Sequence, residues 1–305
     1  MTRLLARRML RAAAALLLVT AVVFALMHFS GDPTYILLAP EASPEQRAAF
    51  RAEYGLDRPL WVQYARYLGR LARGDFGQSL SFRVPAASVA LERLPATIEL
   101  TLAAMALAVL VSLPAAVLAA VRRGTLFDRA LMSVTLLGQT VPTFWLGMVM
   151  ILVFAVRLRV FPASGRGGWL HLVMPATALA LWLAALLARV TRSEMIEALE
   201  QDYVRTARAK GLGERAIAAR HALKNALLPI ITLLGLQFGG LLGGAVMTET
   251  VFAWPGVGTM ILDAILKKDF PVVLAGVVIV AIGFIAVNLV LDLLYTALDP
   301  RLRRA

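Results

Sequence analysis

Long apolar runs constrain this chain more tightly than any other feature. Six can be read, at about Ala12–Phe29, Glu99–Val121, Leu131–Val156, Leu172–Val190, Leu228–Val251 and Val272–Leu298. A helix crosses the hydrocarbon core of a bilayer in ~20 residues, which these runs approach or exceed. No water is available there to bond free peptide groups, so each run is predicted to be a helix that satisfies its own backbone. A chain of 305 residues with 60% apolar and 16% charged residues also has too little polar surface for a soluble fold. The expected fold class is an all-α polytopic membrane protein with six transmembrane helices.

The N-terminal MTRLLARRMLR and the run behind it resemble a secretory signal. The run is longer than an ordinary signal core and no small-x-small cleavage site ends it, so it is read as an uncleaved first span. Basic residues set the orientation. Arg3, Arg7, Arg8 and Arg11, three arginines in Arg122–Arg129, eight basic residues in Arg189–Lys224, and Arg301, Arg303 and Arg304 all fall on one side of a six-span arrangement. Such residues favour the cytoplasm, which puts both termini there. Most of the net charge of +12 then reflects topology, and nucleic-acid binding is the weaker reading of it. The chain divides into a tail and first span (1–30), an extracytoplasmic loop subdomain (31–98), a transmembrane core (99–298) with a cytoplasmic loop at 191–228, and a cytoplasmic tail (299–305).

The long first loop is patterned. Ser43-Pro44-Glu45-Gln46 has capping-box spacing with proline at the first helical position, and Gly55 follows as a stop. A second helical pattern carries Leu60, Tyr64, Leu68 and Leu71 on one face and ends at Gly74, with Trp61, Tyr64 and Tyr67 suited to a membrane interface. Either a lid packed on the bundle or a docking surface for an extracytoplasmic partner fits this pattern. Within the spans, Gly138 and Pro142 interrupt the third run, and Gly235, Gly239 and Gly243 repeat every four residues in the fifth. Small residues at that spacing let helix backbones approach closely, as packing or as a moving gate.

Chemistry-bearing motifs are scarce. Glu99, Glu249 and Asp292 lie toward span ends, whereas an ion-coupled carrier usually keeps ionisable groups near the midplane. The chain has no G-x-x-x-x-G-K-[ST] nucleotide loop, no H-E-x-x-H and no G-x-S-x-G, and its three histidines are far apart. Cysteine is absent, which excludes disulfides and thiolate metal sites. An enzyme is not expected, nor is a bound cofactor or metal.

The polar stretch Asp202–Pro229 stands out in so apolar a chain. Ile196, Leu199, Tyr203 and Ala207 are predicted to share one helical face, with Glu194, Glu197, Gln201, Arg205 and Arg208 opposite. Gly211-Leu212-Gly213 breaks the pattern, since glycine accepts the left-handed conformation that ends a helix. A second helix is predicted with Ala216, Ala219, Leu223, Ala226 and Leu227 on one stripe, running to Pro229. A basic amphipathic pair facing anionic membrane lipid would look the same.

RTARAKG at Arg205–Gly211 resembles the EAA-type motif of permease subunits in ATP-binding-cassette importers. DYVRTARAKGL followed by RHALKNALLP is similar to the branch that imports peptides and nickel. GDP at Gly31–Pro33, YGLDRPLWVQY, GDFGQSL, ERLPATIEL at Glu92–Leu100, ETVFAWPGVG at Glu249–Gly258 and DLLYTALDPR agree, so the likeness covers nearly the whole chain. Two departures from the general motif, Arg205 and Thr206 in place of glutamate and alanine and a more distant Pro229, are usual for that branch.

The resemblance implies a type I importer (MetI-like) permease fold in the bacterial inner membrane. It implies a heterodimer with a sibling permease, two separate ATPase subunits that use ATP and magnesium, and an extracytoplasmic solute-binding protein. The helix before Gly211 would be the coupling helix that docks on an ATPase, with Asp202, Tyr203, Arg205, Thr206, Arg208 and Lys210 at the contact and Ala207 and Gly211 allowing close approach. Gln139, Thr140, Gln237, Thr248 and Asn288 are candidates for the translocation path, and each can equally serve as an interhelical hydrogen bond. Peptides or a related small solute would be the cargo. A carrier or channel acting alone and a membrane scaffold are the rival classes.

Overall fold

A computed structural model describes residues 2–29, 34, 38 and 42–298. The GDP segment at Gly31–Pro33 and the tail 299–305 lie outside the described residues. Two compact units are formed, one from residues up to Thr97 with Pro255–Ile285, the other from Ile98–Trp254 with the residues from Ala286 onward.

In the first unit, α1 (Thr2–Phe29) carries the apolar stretch Ala13–Leu26. The first-loop helices form where the sequence places them. At α2 (Pro44–Tyr54), Ser43 Oγ accepts the Gln46 N–H, the Gln46 side chain accepts the Ser43 N–H at 2.9 Å, and Gly55 closes the helix in the left-handed conformation. A cap of this kind contributes about 1 kcal/mol. On α3 (Leu60–Leu71), Tyr64 donates to the Leu17 carbonyl at 2.9 Å, and Phe24 lies 5.3 Å from the Tyr64 ring and 6.5 Å from that of Tyr67. Tyr67 is buried there, and burial pushes its phenol up to about 12. Trp61, grouped with these tyrosines by sequence, stays exposed.

The start of α4 (Ala86–Val121), α11 (Val257–Leu266) and the start of α12 (Phe270–Leu298) share a core of Ala86, Ala90, Val257, Val272 and Ala275. Buried Asp269 fastens the turn before α4, accepting from Ser79 Oγ at 2.5 Å and from the Leu80 and Ser81 N–H groups at 3.1 and 3.0 Å.

In the second unit the third apolar run is broken. Pro142 has no N–H to donate, and α5 (Leu126–Thr140) and α6 (Thr143–Met150, continued by a π-helical stretch Ile151–Arg157) meet at 96° across Val141 and Pro142. The long helix α7 (Trp169–Leu199) packs on α5, with Gly138 positioned so that a Cβ would sit 3.1 Å from that of Ala185. Met150, Met174, Ala178 and Phe252 form a second core. Glu99 holds Arg166 at 2.6 and 2.9 Å, and the guanidinium of Arg166 lies 6.0 Å from the ring centre of buried Trp254.

Several expected boundaries move. The fourth and fifth spans are longer than their apolar runs: α7 continues to Leu199, and α9 (Glu214–Gly243) is a 30-residue helix that passes through Pro229. The fifth run is also not one helix, since α10 (Val246–Val251) follows α9 as a separate short segment. Among the described residues, four helices are long and apolar enough to cross a membrane and the bent α5–α6 pair makes a fifth.

Candidate functional site

The polar stretch between α7 and α9 is a helical elbow. After the Glu200–Gln201 turn, α8 (Asp202–Ala209) makes two turns and ends at Lys210. Gly211 adopts φ +78°, its N–H donates to the Arg208 carbonyl at 2.9 Å, and the Leu212 N–H donates to the Ala207 carbonyl at 3.2 Å. That pair of bonds is the Schellman arrangement, for which glycine is favoured because a Cβ strains the left-handed conformation. Gly213 is extended and caps α9, and Arg208 closes the elbow with hydrogen bonds of 2.7 and 3.1 Å to Glu214. Both partners are half-exposed, so this ion pair contributes well under ~1 kcal/mol and serves mainly to set the angle.

The faces of the elbow correct the sequence expectation. Val204 and Ala207 are the buried positions of α8, packed with Ile217 and Leu199, while Tyr203 is exposed. The turn at Glu200–Gln201 resets the helical phase, so the pattern of α7 does not continue into α8. Ala207 therefore supports the elbow from inside rather than offering space to a partner. In α9 the π turn Ile217–Ala222 shifts the stripe to Ile217, Ala218, Ala222, Ala226 and Ile230, leaving Ala219 exposed. Asp202, Arg205, Thr206, Arg208, Lys210 and Gly211 face outward. A Cβ added at Gly211 would meet no heavy atom of the described residues within 4 Å, so the Cβ position itself is open.

Sequence reasoning missed two ion pairs beside the elbow. Asp128, nearly buried in the first turn of α5, receives the Nε and Nη2 groups of Arg192 on α7, the latter at 2.7 Å, and the Gly124 N–H at 2.9 Å. Arg123 bonds Glu200 at 2.7 Å, at the very end of α7. The partners are 64 and 77 residues apart, and no local pattern relates them. Only the cap is legible: Thr125 Oγ1 accepts the Asp128 N–H.

At the other end of α5 the helix break opens a cavity of about 370 Å³, lined by Gln139, Thr140, Val141, Pro142, Thr143, Leu179, Trp182, Gln237, Gly240 and Leu241. Among the described residues its walls carry two primary amides, two threonine hydroxyls and an indole, and no ionisable group. Gln139 Nε2 is buried without a hydrogen-bond acceptor among the described residues, a costly state for an amide that a ligand or water relieves. The structure thus brings together Gln139, Thr140 and Gln237, whereas Thr248, buried on α10, and Asn288, half-buried on α12, do not line the cavity. Of the three repeated glycines, Gly235 packs against α12, where the Leu291 side chain occupies the place a Cβ would take. Gly239 is buried and Gly243 is exposed.

The family model of the binding-protein-dependent transport system inner membrane component matches residues 112–304, and the model of its N-terminal region matches residues 1–101. The chain is 40% identical over 318 residues to the dipeptide transport system permease protein DppB of Escherichia coli K12, covering 93% of this chain and 94% of that protein. It is 43% identical over 315 residues to the di/tripeptide transport system permease protein DppB of Pseudomonas aeruginosa, with the same coverage. Identity to the glutathione transport system permease protein GsiC of E. coli K12 is 39% over 298 residues, 97% of each chain. Among solved structures, a chain of the MetNI methionine ABC transporter in an inward-facing conformation superposes with a TM-score of 0.60 at 19% identity, covering 69% of this chain and 96% of that one, which supports the MetI-like fold. The matched segments and the shared fold identify this chain as a member of the binding-protein-dependent transport system inner membrane components, a multi-pass permease subunit of an ATP-binding-cassette importer and not itself an enzyme.

Proposed function

We propose that this permease carries short peptides inward through the cavity at the α5–α6 break, driven by ATPase subunits docked on α8. The observation that carries the proposal is the convergence of Gln139, Thr140 and Gln237 on one uncharged cavity. Amides and hydroxyls hydrogen-bond a peptide's backbone CO and NH groups, and a wall without ionisable residues selects neither sign of side-chain charge. A volume of about 370 Å³ suits a ligand of two or three residues. The relatives' named cargoes, dipeptides, di/tripeptides and glutathione, share that backbone.

The outward face of α8 supplies the docking surface. Arg205, Lys210, Asp202, Tyr203 and Thr206 are exposed, and the open space over Gly211 leaves room for a partner's surface. The basic loops favour a cytoplasmic position for this elbow and for both termini. A sibling permease would complete the path as a heterodimer, a solute-binding protein would deliver the peptide from outside, and ATP with magnesium would be held by the ATPase subunits. Uptake of a labelled dipeptide by the reconstituted transporter tests the cavity. Gln139→Leu with Gln237→Leu is expected to lower uptake about tenfold or more while the subunits stay assembled, as loss of buried polar partners does in specific sites. Unchanged uptake in that double variant would remove the cavity from the path.

A further inference from the structure

We infer that Asp128 is a positioning residue for energy transmission: its pairing with Arg192, backed by Arg123–Glu200, clamps the start of α5 to the end of α7, so that displacement of α8 reaches the cavity through α5. The inference rests on the docking of α8 proposed above.

The geometry supports this at both ends of α5. At its start, the Asp128 carboxylate is 4% exposed and takes two hydrogen bonds from Arg192 and one from the Gly124 N–H. Two parallel bonds from one guanidinium fix an angle as well as a distance, which a single contact does not. A buried ion pair is a poor source of stability, because desolvation offsets most of the attraction. Fixing one arrangement of two helices is the use that geometry of this kind serves best. The second pair lies at Glu200, two residues before α8 begins, and is well exposed, with side chains 61% and 66% accessible. It adds little energy and places the loop against the hinge itself. Near its other end α5 is held close to α7 where Gly138 meets Ala185.

Gln139 and Thr140 come directly after Gly138 and line the cavity. From Asp128 to Gln139 the helix spans about 16 Å, so a tilt of a few degrees at the clamp moves the cavity wall on the order of 1 Å. Shifts of that size are what bistable packing amplifies.

Two measurements on the complete transporter in liposomes test this. In the first, Arg123→Cys and Glu200→Cys are bridged by a short bis-maleimide; the chain has no native cysteine, so the bridge within it is unique. Bridging is expected to maintain or raise uptake per ATP relative to the unbridged variant. A bridge that stops uptake shows that loop and helix must separate, and overturns the clamp. In the second, Asp128→Asn is expected to keep the ATPase subunits bound and hydrolysing while uptake per ATP falls about fivefold or more, with Asp128→Glu recovering most of it. Unchanged uptake per ATP in Asp128→Asn overturns the role. If that variant does not assemble, the bridge decides alone. Failure of α8 docking would appear separately, as ATPase subunits that stay bound to a chain carrying Arg205→Glu and Lys210→Glu.

Discussion

Gly211 separates backbone strain from partner docking, because the structure gives it a left-handed backbone and an open Cβ position. Its φ of +78° disfavours any residue with a Cβ, and among the described residues no heavy atom lies within 4 Å of where that Cβ would be. Strain is then the main cost of an added Cβ within the isolated chain. A left-handed L-residue costs about 1–2 kcal/mol, so Gly211→Ala and Gly211→Trp are expected to weaken the end of α8 by nearly the same amount. Asn, which tolerates the left-handed region, should cost less. The two amides that report the loss are those of Gly211 and Leu212, which donate the capping bonds. At 1 kcal/mol their hydrogen exchange should quicken about fivefold, in a local opening that leaves the helical cores protected.

Docking divides the variants differently. Gly211→Ala should retain the ATPase subunits, while the indole of Gly211→Trp fills the surface offered to them and should release them or uncouple hydrolysis from uptake. Much faster exchange in Gly211→Trp than in Gly211→Ala would show that the surround is not empty. Full coupling in Gly211→Trp would refute docking at this elbow.

Asp128→Ala strands Arg192, which is about one-fifth exposed, and should cost somewhat less than the ~3–5 kcal/mol of a fully buried broken pair, with Asp128→Leu and Arg192→Leu together recovering most of it in thermal melts. Gly235→Val places methyl groups in the space of Leu291 and should lower the melting temperature through about 1–3 kcal/mol of overpacking, relieved by a second change Leu291→Ala. Tyr67 offers a pH test. With its phenol raised from 10.0 to about 12 in the folded chain, the unfolded chain deprotonates first, so the stability that depends on the neutral phenol is complete below pH 10.0 and is lost as pH rises toward 12. Tyr67→Phe should flatten that loss in alkaline melts and change little at pH 7, because the hydroxyl has no hydrogen-bond partner among the described residues.

Local chemistry made much of this fold legible. Ser43 and Gln46 announce their capping box, Gly211 announces the end of α8, and Pro142 marks the break in the third run, because each acts on its own backbone or within one turn. Phase was harder to read. The turn at Glu200–Gln201 and the π turn at Ile217–Ala222 each rotate the helix beyond them, which put Tyr203 outside and Ala219 on the surface against the expected stripes. The apolar runs likewise understated α7 and α9, since a helix continues past the bilayer wherever its polar turns still bond internally. Least legible were the long-range pairs. Nothing near Asp128 announces Arg192, and nothing near Gln139 announces that Gln237 shares its cavity while Thr248 and Asn288 do not.

The central claim is that this chain moves its cargo only when ATPase subunits act on it through α8. The direct measurement is uptake of a labelled dipeptide into liposomes holding the chain with the sibling permease proposed above, ATPase subunits and binding protein, with and without ATP, in the parent and in Arg205→Glu with Lys210→Glu. Uptake that needs ATP and is lost in the charge-reversed chain is the predicted result. Equal uptake without ATP or without the ATPase subunits would show a carrier or channel working alone, and would contradict it.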